Sequence, residues 1–209
     1  MLRGVVANSG KRMKKYILLE GNEGAGKSTT AEILESSMRL RDLNVTRVRE
    51  PGATPLAEHL RDIALHDKNA RSPLTEMLIF LAARSSLMDF LAESPADIVI
   101  SDRGWPSTYA LQVKDDKTQV LFDRTVNLLR PDVQVITILL TCTYDTYIAR
   151  RGDKRELSDN IESRMIDAET YEMYQERYRN VPGGYDLILS TDDTTPTEIV
   201  GEIMKWLSV

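Results

Sequence analysis

The residues most able to do chemistry form one short run: Gly21-Asn22-Glu23-Gly24-Ala25-Gly26-Lys27-Ser28, followed by Thr29. It fits the pattern G-x-x-x-x-G-K-[ST], with an apolar strand-like stretch before it and a helix-length stretch after it. The glycines let backbone N–H groups turn inward around phosphate oxygens. The helix starting near Lys27 adds its positive end, and the lysine reaches the outer phosphates. Ser28 offers a hydroxyl to a magnesium ion. A glycine-rich turn without a ligand is the bland alternative, and strand and helix on either side weigh against it.

Further candidates follow other apolar runs. Arg49 precedes Glu50-Pro51-Gly52, where proline and glycine stop a strand and leave a guanidinium at its tip, able to grip an anion through two hydrogen bonds. Alone it reads better as a solvated surface arginine. Asp102-Arg103 also ends an apolar run, so a carboxylate for a magnesium-bound water and a cation for a phosphate come to the same edge. Phe80 and Arg84 stand four residues apart, one helical turn, and so neighbour each other on one face. A ring stacking on a base beside a guanidinium would make a pyrimidine pocket; spacing alone favours a core phenylalanine beside a surface arginine.

Apolar runs at Tyr16 to Leu19, Val45 to Val48, Ile98 to Ile100, Val133 to Leu140 and Leu187 to Leu189 must position these groups. Helical segments are expected at Lys27 to Leu43, Leu56 to His66, Leu74 to Glu93, Thr118 to Leu129, Tyr144 to Arg151, Ile161 to Arg179 and Thr197 to Leu207. The alternation predicts an α/β fold with a five-stranded parallel sheet covered by helices on both faces. Ligands on such sheets bind at the carboxyl ends of the strands.

Composition agrees with one domain over residues 15–209, preceded by a floppy basic tail over 1–14. Met13, just before the first strand, could be an alternative start. The 209 residues carry a formal charge of −5, which argues against nucleic acid as the main partner, since backbone binders carry a basic surplus. Nothing reaches the roughly 18 apolar residues of a membrane span. The leader lacks a signal peptide's apolar core, and the single cysteine, Cys142, suits a reducing cytoplasm.

Leu19-Glu20-Gly21 with the phosphate loop, Arg49-Glu50-Pro51-Gly52, Leu78-Ile79-Phe80-Leu81-Ala82-Ala83-Arg84, and Asp102-Arg103 with Ser107 and Gln112 together resemble the thymidylate kinase family. The resemblance runs from about Tyr16 to the C-terminus and is strongest up to Gln112. It implies a P-loop NTPase three-layer sandwich with a short mobile lid at about 150–160. It also implies transfer of the γ-phosphoryl group from ATP to a deoxynucleoside monophosphate with Mg2+, by a cytoplasmic homodimer. On that basis Arg49 and Arg103 hold the acceptor phosphate, Phe80 stacks on the base, Arg84 and Gln112 bond its edge, and Ser107 lines the pocket. Asp102 organises the magnesium with Ser28, and Lys27 serves the transferred phosphoryl group.

Family members place an arginine either in the phosphate loop or in the lid. With Gly24 in the loop, the run Arg150-Arg151-Gly152-Asp153-Lys154-Arg155 is expected to supply the cations, Arg151 and Arg155 foremost. Leu189 to Asp193 resembles the adenine-side loop. The chain departs from the family at Gly104-Trp105-Pro106, where an aromatic or histidine is usual, and at Leu111, where a tyrosine helps to exclude a 2′-hydroxyl. These departures admit a 5-modified acceptor such as 5-hydroxymethyl-dUMP. A deoxynucleoside kinase and a non-catalytic P-loop binding module are the rival readings. Arg49 speaks against the first and the second pocket against the other.

Overall fold

The computed structural model describes residues 15–67, 72–152 and 167–209. The basic leader and most of the expected lid, Arg155 included, lie outside the described residues. Among those described, strands β1 (Lys15–Glu20), β2 (Val45–Arg49), β3 (Ile98–Asp102), β4 (Gln134–Thr141) and β5 (Leu187–Ser190) form one parallel sheet in the order β2-β3-β1-β4-β5.

Alternation along β1 explains why both faces must be covered. Ile17 and Leu19 point into a core with Ala31, Leu34 and Met38 of α1 (Lys27–Arg39) and Ile199 and Ile203 of α8 (Pro196–Trp206). Tyr16 and Leu18 point the other way, against Leu87 and Leu91 of α3 (Pro73–Glu93). A strand buried on both sides reads as a continuous apolar run. Burying each such Leu stabilises the fold by about 2 kcal/mol. The remaining described helices are α2 (Pro55–His66), α4 (Trp105–Gln112), α5 (Asp116–Leu128), α6 (Tyr144–Arg151) and α7 (Ala168–Arg179). None of the described helices is long and apolar enough to cross a membrane.

One expected helix is shorter than expected, one helix was not expected, and residues 161–166 of the expected helix Ile161 to Arg179 lie outside the described residues, α7 beginning at Ala168. The first was expected to reach Leu43, but α1 stops at Arg39, where the chain turns through Asp42 at φ 59°. Helix α4 had no counterpart among the expected helices. Proline fits a first helical turn, and burial of Pro106, Ser107, Thr108, Ala110, Leu111 and Gln112 erases the one-sided periodicity that would have marked the helix.

Register does the work that matters for function. Arg49 lies opposite Asp102 on β3, and Asp102 lies opposite Leu19 on β1. The three strand tips therefore end at one level, and the polar residues at them share a single edge.

Candidate active site

The helix caps point to where anions belong. Side chains of Thr54, Ser72, Asp115, Thr143, Asp167 and Thr195 cap α2, α3, α5, α6, α7 and α8. Helices α1 and α4 have no side-chain cap and start at Gly26 and Gly104. Their first N–H groups are left for another acceptor. Both starts meet at one cleft of about 210 Å³.

Residues Gly21 to Gly26 make the loop from β1 into α1. At Gly21, φ is 139° and a Cβ would lie 2.1 Å from the Leu140 carbonyl oxygen, so only glycine lets the loop pass β4. Asn22 is buried and donates from Nδ2 to the Tyr171 carbonyl at 3.0 Å; Ala25 is buried too. Lys27 is buried with Nζ donating to the Asn22 carbonyl at 2.7 Å. Burial and Arg103 push its pKa down, against Glu23, Asp102 and Glu20, which push it up. The lysine is thus poised to gain from a phosphate anion. Ser28 donates from Oγ to Asp102 Oδ2 at 2.5 Å, and Thr29 is exposed beside it.

Arg103 sits at φ 72°, in the left-handed region that costs a non-glycine residue energy, and its N–H donates to the Leu19 carbonyl at 2.9 Å. The bend aims the guanidinium inward. Nη2 pairs with Glu23 Oε2 at 2.7 Å, while Nη1 donates to the Tyr178 hydroxyl at 2.8 Å, the Gly21 carbonyl at 3.2 Å and Ser107 Oγ at 3.3 Å. Burial works against its charge, but Tyr178, Glu23, Asp102 and Glu20 outweigh it and push the pKa up. Glu23 moves down through Lys27 first, against burial, with help from Arg103. Arg49, more exposed, lines the cleft and pairs with Glu58 at 2.7 Å.

Phe80, Ser107, Leu111 and Gln112 wall the far end of the cleft. Gln112 is buried and donates to Glu76 at 3.4 Å, but its Oε1 has no partner. Arg84 stands one layer behind this wall. Its guanidinium is buried and paired with Glu50, which lines the cleft, and its Nε has no partner. The expectation of a surface-exposed Arg84 is therefore corrected: Glu50 stabilises the charge that burial would otherwise forbid. Tyr16 completes the group, donating from its hydroxyl to Glu50 at 2.5 Å. Burial raises the Glu50 pKa, opposed by Arg84 and Tyr16.

On the lid side, Arg150 donates to the Gly24 carbonyl and to Thr191 Oγ1 at 2.8 and 2.9 Å, and also to the Thr191 carbonyl. Arg151 is half-buried in the last turn of α6. Tyr147 explains Gly24: a Cβ there would lie 2.7 Å from its ring. Sequence reasoning missed Glu20, Tyr178 and the bond of Glu50 to Arg84. Glu20 and Glu50 carry the same signal that marked Asp102, a carboxylate at the end of an apolar strand. Tyr171, Tyr174 and Tyr178 repeat at helical spacing and read as core.

The thymidylate kinase family model matches residues 19–200. A thymidylate kinase of Alkalilimnicola ehrlichii is 30% identical over 214 residues, covering 93% of this chain and 96% of the relative. One from Thermoanaerobacter sp. is 34% identical over 161 residues, covering 73% and 77%. The solved structure of the thymidylate kinase from Ehrlichia chaffeensis, 22% identical, superposes with a TM-score of 0.70 over 94% of this chain and 100% of that one. That from Candida albicans, 17% identical, gives 0.68 over 94% and 92%. These two likenesses are of fold.

Proposed function

The chain belongs to the thymidylate kinase family, and we propose that it transfers the γ-phosphoryl group of ATP to a deoxypyrimidine 5′-monophosphate, dTMP before others, giving dTDP. The observation that carries this reading is the meeting of a donor cradle and an acceptor grip in one cleft. Ser28 reaches Asp102, and Glu23 of the loop reaches Arg103.

In this reading Gly21 to Thr29 hold the phosphates of ATP, and Lys27 follows the transferred group. Arg49 and Arg103 hold the acceptor phosphate, whose oxygen is already anionic and needs positioning more than a strong base. A hydroxyl beside a carboxylate, Ser28 with Asp102, is a hard-oxygen donor set that fits Mg2+. Among the described residues no group of three His, Cys, Asp or Glu could hold a metal alone, which suits an ion shared with nucleotide phosphates. When bound, Mg2+ supplies charge neutralisation at the phosphates.

Phe80 stacks on the base. Gln112 Oε1, a partnerless acceptor, belongs to the cleft wall with Phe80, while Arg84 Nε, a partnerless donor, stands one layer behind that wall. Thymine and uracil offer the complement, an O4 acceptor next to an N3–H donor, whereas cytosine offers the reverse. Arg151 and Arg155 are the lid cations that follow the transition-state charge. Apolar side chains left in the open on the acceptor half, among them Leu74 and Leu78 on α3 and Val120 on α5, support a homodimer, and we place it in the cytoplasm.

A 5-modified dUMP remains the second reading, carried by Leu111 alone. At Gly104 the space is closed, because a Cβ there would lie 2.9 Å from Leu18 Cδ1 and 3.1 Å from Glu20 Oε1. A coupled ADP-release assay with Mg-ATP decides, using dTMP, dUMP, 5-hydroxymethyl-dUMP, dCMP, dGMP, UMP and thymidine. The expected order puts dTMP first and dCMP far behind. Preference for 5-hydroxymethyl-dUMP would move the specificity to Leu111, and turnover of thymidine would favour a deoxynucleoside kinase. No turnover at all would remove the enzyme reading.

A further inference from the structure

Glu20 ends β1 directly beneath the acceptor side of the cleft, with no exposure to solvent. Its Oε2 accepts the Ser107 hydroxyl proton at 2.6 Å, and its Oε1 has no partner. Gly104 leaves room beside it, since a Cβ there would lie 2.9 Å from Leu18 Cδ1 and 3.1 Å from Glu20 Oε1.

A hydroxyl has one proton to give and two lone pairs. Ser107 gives its proton to Glu20, so its oxygen must accept. The two groups facing it can both donate: Arg103 Nη1 at 3.3 Å and the Tyr178 hydroxyl at 3.0 Å. Tyr178 itself accepts from Arg103 at 2.8 Å, which leaves its own proton for Ser107. Every proton direction in the group is then fixed, and the chain ends on Glu20. Without that acceptor nothing decides which of Ser107 and Tyr178 donates to the other, and the direction of the hydroxyl pair facing Arg103 is no longer fixed. Such closed networks hold a geometry more tightly than their separate bonds suggest.

Building on the reading of Arg103 as the acceptor-phosphate cation, we infer that Glu20 is a positioning residue for the acceptor: through Ser107 and Tyr178 it sets the direction of the Arg103 guanidinium. Tyr178 lies on α7, which also grips the donor loop, since the Tyr171 hydroxyl donates to the Glu23 carbonyl at 3.0 Å. Both substrates' grips therefore rest on one helix.

The test uses the full chain in steady-state kinetics with Mg-ATP and dTMP each varied, on Glu20→Ala, Glu20→Gln, Ser107→Ala, the Glu20→Ala/Ser107→Ala double variant and Arg103→Ala. Glu20→Ala should raise the KM for dTMP about tenfold or more while the KM for ATP stays within about twofold. Glu20→Gln, whose amide oxygen still accepts from Ser107, should restore most of the loss. The double variant should be no worse than Glu20→Ala, because both act on one chain of bonds. An unchanged dTMP KM in Glu20→Ala, with Arg103→Ala raising it, overturns the inference and leaves the functional reading intact. An unchanged dTMP KM in Arg103→Ala overturns both. Equal losses in kcat, both KM values and thermal stability for Glu20→Ala and Glu20→Gln would reduce Glu20 to packing and also sink the inference.

Discussion

Ser28 in the first turn of α1 donates to Asp102 at the tip of β3 at 2.5 Å, so the helix that follows the glycine-rich loop is tied to the strand that leads into Arg103. An isosteric Asp102→Asn change removes the negative charge and keeps the shape. On the proposal that Asp102 organises Mg2+, the variant's kcat should fall about 100-fold or more, with the KM for ATP little changed, because the lost interaction would belong to the transition state. Initial rates at saturating Mg-ATP read this directly. Activity within about threefold of the parent would remove the proposed metal role of Asp102.

Glu50 and Arg84 make a buried pair with Tyr16 as third member. Removing one charge strands the other, so Glu50→Gln or Arg84→Ala should each cost about 3–5 kcal/mol of folding stability in urea titrations. Glu50→Gln combined with Arg84→Met should recover much of that, since neither charge is left alone. A double variant less stable than either single would show that the pair is not the cause.

Glu20 ties stability to pH. Burial lifts its carboxyl from the ordinary 4.5 to about 7, opposed by Ser107, Arg103 and Arg84 and assisted by Glu50. Lys27, Tyr178 and Tyr185 also feel its charge. Below 4.5 both folded and unfolded chains hold the proton. Between 4.5 and about 7 only the folded chain does, so raising the pH through this window lowers stability, by up to about 3 kcal/mol from this group. Glu20→Gln carries no such proton. The stability of the parent relative to Glu20→Gln should therefore decline across the window in denaturant titrations at stepped pH. Parallel curves would show that the carboxyl does not titrate there.

Much of the frame was legible in the sequence, because strands buried on both faces leave continuous apolar runs and a phosphate loop leaves a fixed pattern. All five strands fell where such runs stood. What escaped was decided by three-dimensional neighbours. Arg84 sits at the spacing of a surface arginine, and only the fold brings Glu50, 34 residues away, against it. Tyr178 stands 75 residues from Arg103 and keeps the rhythm of a core face, so nothing local betrays its hydroxyl. Helix α4 is wrapped on nearly all sides and shows no periodic stripe.

Gly24 offers a test of the lid expectation. At φ 74° a residue with a Cβ is strained, and that Cβ would stand 2.7 Å from Tyr147 Cδ2 and 3.2 Å from its Cα. Tyr147 cannot easily yield, because its ring stacks on Tyr171 at 5.0 Å between centroids with 16° between the planes. Moving the arginine into the loop should therefore fail. Gly24→Arg should lose stability by about 2 kcal/mol or more and lose most of its activity, and Gly24→Ala should already show most of the stability loss. Thermal unfolding and kcat on both variants separate backbone strain from the effect of a new charge. Full activity in Gly24→Arg would mean that the loop tolerates the cation, and the need for Arg151 and Arg155 would fall away.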